Sequence, residues 1–257
     1  MQQPTDISMM IRSIEEHAFK AVPATKNRPY DGWLIRLSDG RTRRTNSVSF
    51  LDQGSLPYDE KLTFCENLFA DENLPACFRM TPLADPPDLT AHLAARGYQM
   101  GGHTDVLVQD IDDIAAPAIP EVIELEPHLS EEWLNAHARI KCLSAEQQDG
   151  LQKTLTKIEL PTCFASVKKD GEIISLGLGV LSESHMGLFD FMTDPAHQRR
   201  GYAAVIVKQL LQKAKSRGVQ KAYLQVVRDN EEGLKFWSAL GFASPLYSYY
   251  YCTKPGE

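Results

Sequence analysis

Residues 189–204 read FDFMTDPAHQRRGYAA, and this stretch decides the interpretation of the chain. Its apolar start predicts a strand, the Asp-Pro step predicts a turn, and the alanines after Gly201 predict the first turn of a helix. Backbone amides at a helix start lack helical acceptors, and a glycine lets an anion approach them closely. Because Arg199 and Arg200 add positive charge, we interpret the loop as a cradle for a pyrophosphate. It is not a P-loop or a dinucleotide fingerprint, since neither GxxxxGK[ST] nor GxGxxG occurs in the sequence.

The sequence around this loop predicts alternating strands and helices. In the second half the predicted order is β-α-β-β-β-α-β-α-β, with helices over residues 130–152, 203–217 and 231–241 and strands over 122–125, 162–168, 172–182, 186–192, 222–227 and 246–252. In the first half the predicted helices cover 6–21, 58–71 and 88–96, and the strands cover 33–37, 45–50, 77–80 and 104–108, the first two flanking Asp39-Gly40. The first half therefore nearly repeats the second, one strand short. We expect an α/β fold with a mixed sheet flanked by helices, in two copies of one topology, although chance similarity is an alternative.

A linker is predicted between the two halves. Residues 109–120, QDIDDIAAPAIP, have no periodicity and two prolines, which divides the chain into domains over 1–118 and 119–257. Asp110, Asp112 and Asp113 offer a possible metal site, but a solvated strand end is the simpler interpretation.

Composition excludes several classes of protein. With 257 residues, 43% of them hydrophobic, the chain can form packed cores, yet no apolar run is long enough to span a membrane. The net charge of −7 disfavours nucleic-acid binding, and the first 118 residues carry most of it, with 11 basic against 17 acidic side chains. The N-terminus lacks a secretory signal, and five scattered cysteines without CxxC spacing indicate a reducing compartment, so we expect a cytoplasmic protein. The seven histidines show no metal spacing, and no metal is expected.

The cradle resembles a known signature. Gln198-x-x-Gly201-x-Ala203 is similar to the [RQ]xxGx[GA] motif of the GNAT superfamily of acetyl-CoA-dependent N-acetyltransferases. The segment from Asn230 to FWSALGF follows in register and is similar to the family's NxxAxx[FL]YxxxGF. The resemblance covers about residues 119–257, whereas residues 1–118 resemble the degenerate N-terminal half of two-domain members and have no phosphate loop.

The resemblance implies a fold, an activity and a site. The fold is that of an acyl-CoA N-acyltransferase, in two tandem GNAT-like units. The activity is transfer of an acetyl group from acetyl-CoA to a primary amine of a small molecule or peptide, by direct attack in a ternary complex, in a monomer or homodimer. The implied coenzyme site comprises Phe191, Met192 and Thr193 along the pantetheine arm, the amides of Arg199, Arg200, Gly201, Tyr202, Ala203 and Ala204 at the pyrophosphate, Asn230 beside either, and Phe236 and Trp237 at the acyl end.

The usual acid–base residues of the family are not visible. Trp237 stands where a tyrosine often serves as the general acid, and an indole cannot deliver a proton at neutral pH. Gly187 and Gln225 occupy two strand positions that often hold a base, and neither side chain titrates.

Other side chains then become candidates for the chemistry. Asp190 lies on the predicted cofactor strand, and Glu183 with His185 lies in the turn before it, each with a structural or solvated role as the alternative. A non-catalytic acyl-CoA-binding regulatory module is the alternative to an enzyme.

Overall fold

In a computed structural model, the described residues are 4–38, 42–84, 88–111, 118–119 and 121–255. The predicted turn at Asp39-Gly40, Asp112, Asp113 and most of the predicted linker lie outside them. The chain forms two compact units, the first made of Met1–Val106, Val226–Glu231 and Pro245–Glu257 and the second of Leu107–Gln225 and Glu232–Ser244. This division differs from a single boundary after residue 118, because the C-terminal strand belongs to the first unit.

The first unit is a sheet with three helices. Its elements are α1 Pro4–Ala21, β1 Lys26–Tyr30, β2 Trp33–Leu37, β3 Ser47–Phe50, α2 Tyr58–Asp71, β4 Cys77–Met80, α3 Leu89–Ala95, the first part of β5 Gln99–Asp110, and β11 Pro245–Thr253. The strand order is β1-β2-β3-β4-β11-β5, in which β3 and β4 are parallel. Trp33 packs edge-on against Phe50 and Phe78 in a buried aromatic core.

The tyrosine-rich strand β11 completes the sheet of the first unit. It pairs antiparallel with β4, Tyr251 opposite Arg79. The buried Arg79 guanidinium lies 3.7 Å from the centre of the Tyr249 ring and is paired with Glu15, which also accepts from the Tyr247 hydroxyl. These contacts explain why β11 lies here, whereas the sequence assigned it to the second half.

Strand β1 was not predicted from the sequence. Its segment, KNRPY, is almost fully exposed and has no alternating pattern. The hairpin turn to β2 has Asp31 and Gly32 at positive φ of 43° and 81°, the geometry that favours an Asp-Gly pair. A side chain at Gly32 would meet the Asp52 carbonyl oxygen at 2.3 Å, so glycine is required there.

The second unit surrounds the predicted cradle. Its elements are β6 Val122–Glu126, α4 Glu131–Lys141, α5 Ala145–Leu155, β7 Thr162–Lys169, β8 Glu172–Leu181, β9 His185–Thr193, α6 Tyr202–Ser216, most of β10 Lys221–Val227, and most of α7 Glu231–Ala239. The strand order is β10-β9-β8-β7-β6, with β9 and β10 parallel and the other pairs antiparallel. Helix α6 connects the parallel pair, and its Ile206, Val207, Leu210 and Ala214 are fully buried. Among the described residues, no helix is both long and apolar enough to cross a bilayer.

The single helix predicted over residues 130–152 is two helices. Cys142 takes the left-handed conformation at φ 52° and ends α4. Ser144 then begins α5 with a capping box, in which its hydroxyl accepts from the Gln147 amide and its own amide donates to the Gln147 side chain. The capping pattern at Ser144 therefore overrides the continuous apolar periodicity.

Candidate functional site

A β-bulge in β9 shapes the centre of the candidate site. Leu176 opposes Met192 and Leu178 opposes Phe189, so Gly177 of β8 faces two residues, Asp190 and Phe191. Asp190 has a φ of 52°. Beyond the bulge, the alternation of β9 side chains between the two faces of the sheet is shifted by one residue. Phe191 consequently lies on the same face of the sheet as Gly177, against which its ring packs.

The loop after β9 is held by an anchored carboxylate. Asp194 accepts from the Ala196 amide at 3.0 Å and pairs with Arg139 of α4 at 2.6 Å. These two contacts, the amide hydrogen bond first, hold the pKa of Asp194 below its usual range. Arg139 also donates to the Ile173 carbonyl oxygen at 2.6 Å, which ties the loop to β8 as well as to α4.

The loop itself has the backbone geometry of an anion cradle. Arg199 and Gly201 both have positive φ, 59° and 85°, and such turns bring amides onto a concave side. The bond from the Val205 amide to the Gly201 carbonyl oxygen, 3.1 Å long, begins the ladder of α6. The amides of Ala203 and Ala204 precede that bond and have no helical acceptor. Helix α6 therefore presents free donors beside two arginine side chains, which fits the phosphate groups of a coenzyme.

Tyr202 contributes its backbone to the cradle while its side chain points elsewhere. The ring is buried, and the hydroxyl donates to Glu121 Oε1 at 2.7 Å. That hydrogen bond is the main cause of the raised pKa of Tyr202 and of the lowered pKa of Glu121. The contact fixes the first residue of α6 against the start of β6.

An aromatic cluster accounts for the tryptophan at the position of the usual acid. The Trp237 ring lies edge-on to Phe191 at 5.1 Å, to Phe236 at 4.9 Å and to Phe242 at 5.5 Å between centroids. Trp237 is buried, so it joins α7 to β9 through packing. The structure thus brings Phe191, Phe236 and Trp237 together, and their roles toward the coenzyme stay predictions.

Packing also explains the glycine at a usual base position. A Cβ atom at Gly187 would lie 2.5 Å from the Phe189 ring and 2.9 Å from the Tyr223 hydroxyl oxygen. Any side chain would therefore collide with two rigid rings. Tyr223 is fully buried and lies beside Gly187 in the parallel register of β10 and β9.

One of the two carboxylate candidates lies in the bulge of β9, and the other lies in the turn before that strand. Asp190 sits in the bulge next to Phe191, with its side chain 33% exposed, and its Oδ1 lies 3.8 Å from His137 Nε2 of α4. Glu183 is exposed in the β8–β9 turn, seven residues before Asp190, which is at most about 23 Å of extended chain. His185, at the start of β9, is buried and bonds Ser184, and burial lowers its pKa. Only Asp190 adjoins the residues expected to contact the coenzyme.

The remaining residues that were predicted to contact the coenzyme lie in different parts of the structure. Met192 is buried, and the Thr193 hydroxyl bonds that of Ser175 at 2.8 Å. Asn230 belongs to the first unit, where its amide donates to the Val227 carbonyl oxygen at 3.0 Å, and its role toward the coenzyme stays a prediction. No cluster of three or more metal-ligating side chains occurs in the described part of the chain.

Sequence reasoning missed three participants, namely His137, Gly177 and Tyr223. His137 follows Trp133 by one helical turn on the buried face of α4, and a titratable side chain on an apolar stripe was the available signal. For Gly177 and Tyr223 the signal lies in strand pairing, which the sequence pattern alone does not give.

Comparisons with known proteins agree with this fold. A curated relative, "Uncharacterized N-acetyltransferase YobR" of Bacillus subtilis (strain 168), is 23% identical over 247 residues, covering 95% of this chain and 98% of its own. A GCN5-related N-acetyltransferase from Kribbella flavida superposes with a TM-score of 0.70 at 16% identity, covering 96% of each chain. A tandem GNAT protein from the clavulanic acid biosynthesis pathway superposes with a TM-score of 0.68 at 14% identity, covering 88% of this chain and 79% of its own. The predicted GNAT fold in tandem form is therefore confirmed.

The family assignment covers nearly the whole chain. A family model described as "Probable histone acetyltransferase Rv0428c C-terminal" matches residues 8–250. That range includes the bulged strand, the cradle and the helix that carries Trp237. The chain belongs to this family, and with it to the GNAT N-acetyltransferases.

Proposed function

We propose that this acetyltransferase transfers the acetyl group of acetyl-CoA to a primary amine of a small molecule or peptide, by direct attack in a ternary complex. The observation that carries the proposal is the loop from β9 to α6, with its left-handed turn at Gly201, free first-turn amides and two arginines. GNAT acetyltransferases use acetyl-CoA, and these features match what its pyrophosphate requires.

The end of β9 is suited to receive an extended pantetheine arm. The parallel pairing of β9 with β10 runs from His185 to Leu188, and Phe191 and Thr193 lie beyond it. Their backbone groups on that side are then available to an added strand-like ligand, with Met192 buried between them. Arg199, Arg200 and the amides of Gly201 through Ala204 would hold the phosphates. When bound, the coenzyme supplies an activated thioester.

Asp190 is the proposed general base. The acceptor amine must lose a proton before its lone pair can attack, and a carboxylate at the bulge can bind the ammonium form and accept that proton. Glu183 is the second candidate, and its distance along β9 makes it the poorer one. Proximity of amine and thioester supplies most of the remaining acceleration.

The first unit is proposed to bind no coenzyme A. Its loop between β3 and α2 corresponds to the cradle of the second unit, but the carboxylate of Asp31 already accepts the amides of Ser55 and Leu56, both at 2.9 Å. Asp59 and Glu60 also place negative charge in the first turn of α2. The amides that a phosphate would need at that position are therefore already bonded to a carboxylate.

A glycine substitution at either end of α6 tests the cradle. We expect Gly201→Val to lower acetyl-CoA affinity in calorimetry by at least about tenfold, or ~1.4 kcal/mol, because a branched side chain blocks phosphate approach. Gly218→Val is the matched control, since Gly218 ends the same helix at a nearly equal φ of 82° and has no atom near its Cβ position. Both variants carry similar backbone strain, so equal affinity losses, or none, would contradict the assignment.

The alternative, a non-catalytic acyl-CoA-binding regulatory module, is favoured by the packed Trp237 and the blocked Gly187. Both proposals include coenzyme binding, so turnover separates them. A panel of spermidine, tyramine, lysine and a lysine-containing peptide would be assayed for coenzyme A release by thiol detection. Release above hydrolysis supports the enzyme, and its absence at every pH supports the module.

A further inference from the structure

A buried histidine lies beneath the bulge of β9. His137 of α4 is 5% exposed, and neither ring nitrogen has a hydrogen-bond partner among the described residues. Its ring packs against Trp133 with centroids 5.4 Å apart. An unsatisfied polar group in a core costs about 1–3 kcal/mol, so an imidazole at this position calls for a compensating role.

The carboxylate of Asp190 lies near this imidazole. His137 Nε2 lies 3.8 Å from Asp190 Oδ1, which is within ion-pair range but longer than a hydrogen bond. Asp190 holds a left-handed backbone conformation, φ 52°, that a non-glycine residue adopts at a cost. A strained backbone, an orphaned imidazole and a partly exposed carboxylate thus coincide at one point of the sheet.

We propose that His137 is a positioning residue that orients the Asp190 carboxylate toward the ammonium group of a cationic primary amine. The inference rests on the proposed function and names its acceptor class. The contact of 3.8 Å shortens when the amine binds, as hydrogen bonds in unliganded active sites commonly do. Nε2–H then donates to one carboxylate oxygen and fixes the direction of the carboxylate, and the buried imidazole gains the hydrogen-bond partner it lacks.

The proton transfers balance as follows. The bound ammonium gives one proton to Asp190 and becomes a neutral amine, whose lone pair forms a C–N bond at the thioester carbonyl carbon. The C–S bond breaks, and the sulfur leaves as a thiolate. The new nitrogen loses its second proton to the thiolate, and Asp190 returns its proton to water. His137 changes no bond; it sets the direction of the carboxylate.

A double-mutant cycle in the full chain tests this role with the amine panel named above. We expect His137→Phe to lower kcat/KM for the amine by about tenfold, the effect of one charge-assisted hydrogen bond, with calorimetric affinity for acetyl-CoA unchanged. His137→Gln keeps an N–H donor and should recover much of the loss. Because His137 acts through Asp190, the pair Asp190→Ala with His137→Phe should be no slower than Asp190→Ala alone. His128→Phe, an exposed histidine before the same helix, is the control.

Each outcome decides the inference. Additive losses in the double variant, equal activities of the Gln and Phe variants, or wild-type activity of His137→Phe overturn it. Should the Phe variant unfold, His137→Leu, which also lacks an N–H donor, takes its place in the cycle with the same expected loss and the same comparison with His137→Gln. Failure of the wild-type chain to release coenzyme A with any amine contradicts the proposed function itself and removes this inference with it. Turnover by the wild type with unaffected variants contradicts only the inference.

Discussion

Gly177 provides a test of the site from the strand opposite it. A Cβ atom at this glycine would lie 2.8, 2.9 and 3.0 Å from three carbons of the Phe191 ring, whereas ordinary contacts begin at 3.4 Å. In Gly177→Ala the ring must therefore retreat by about 0.6 Å. It cannot do so freely, because its other side packs edge-on against Trp237 at 5.1 Å.

The expected magnitude follows from this overpacking. Forcing one methyl group into a packed site costs about 1–3 kcal/mol, shared between stability and the position of β9 beyond the bulge. If Phe191 carries part of the pantetheine site, acetyl-CoA affinity should fall by about tenfold, ~1.4 kcal/mol, in calorimetry. Thermal unfolding of the same samples measures how much of this cost appears as lost stability.

Gly179→Ala is a matched control on the same strand and face. Its Cβ atom would meet Leu210 Cδ2 and Met186 Cε at 3.1 Å, and both are flexible ends that can shift. We expect Gly179→Ala to bind acetyl-CoA with nearly wild-type affinity. Combining Gly177→Ala with Phe191→Leu should recover part of the lost acetyl-CoA affinity. Unchanged affinity in Gly177→Ala, or an equal loss in Gly179→Ala, would refute the placement of the coenzyme along this strand.

Two further predictions concern carboxylates that hold loops. The amides of Ser55 and Leu56 hold the pKa of Asp31 well below its ordinary value of 3.8, so the stability that this carboxylate contributes is present above pH 3.8 and is lost as the pH falls below it. Asp31→Asn should therefore lower Tm at pH 7 and flatten the decline of Tm at acid pH. Circular dichroism measures both, and a Tm profile identical to that of the wild type would contradict this. Arg139→Gln should weaken acetyl-CoA binding about two- to fivefold by releasing Asp194 at the start of the cradle loop, with kcat changed less than affinity; calorimetry measures it, and wild-type affinity would show that the anchor is dispensable.

Elements with strong local patterns were predictable from the sequence. Helix α2 and strand β4 begin and end where predicted, at Tyr58–Asp71 and Cys77–Met80. The loop and helix around Gly201 were equally clear, because a left-handed glycine before a helix has a distinctive sequence context. The family assignment follows from the same segment.

Features that depend on distant partners were not predictable. The apolar stripe of residues 130–152 concealed the break between α4 and α5, because one left-handed residue, Cys142, interrupts it. The strand β11 could not be assigned to the first unit, since its tyrosines pack against Arg79, a residue far away in the sequence. The bulge in β9 arises where the strand pairs with β8 at Gly177, and the sequence of neither strand alone predicts it.

The glycine at residue 187 and the bulge residue Asp190 both reflect how β9 packs against its neighbours. At Gly187 the space for a side chain is filled by the Phe189 ring and the Tyr223 hydroxyl, so no carboxylate can stand there without rebuilding the core. Asp190 lies on the same strand at the bulge, where the alternation of side chains is broken. The left-handed backbone of Asp190 is the cost of holding this partly exposed side chain at the bulge. On this reasoning the filled space at Gly187 and the proposed base Asp190 beside His137 both result from the way β9 packs against its neighbours.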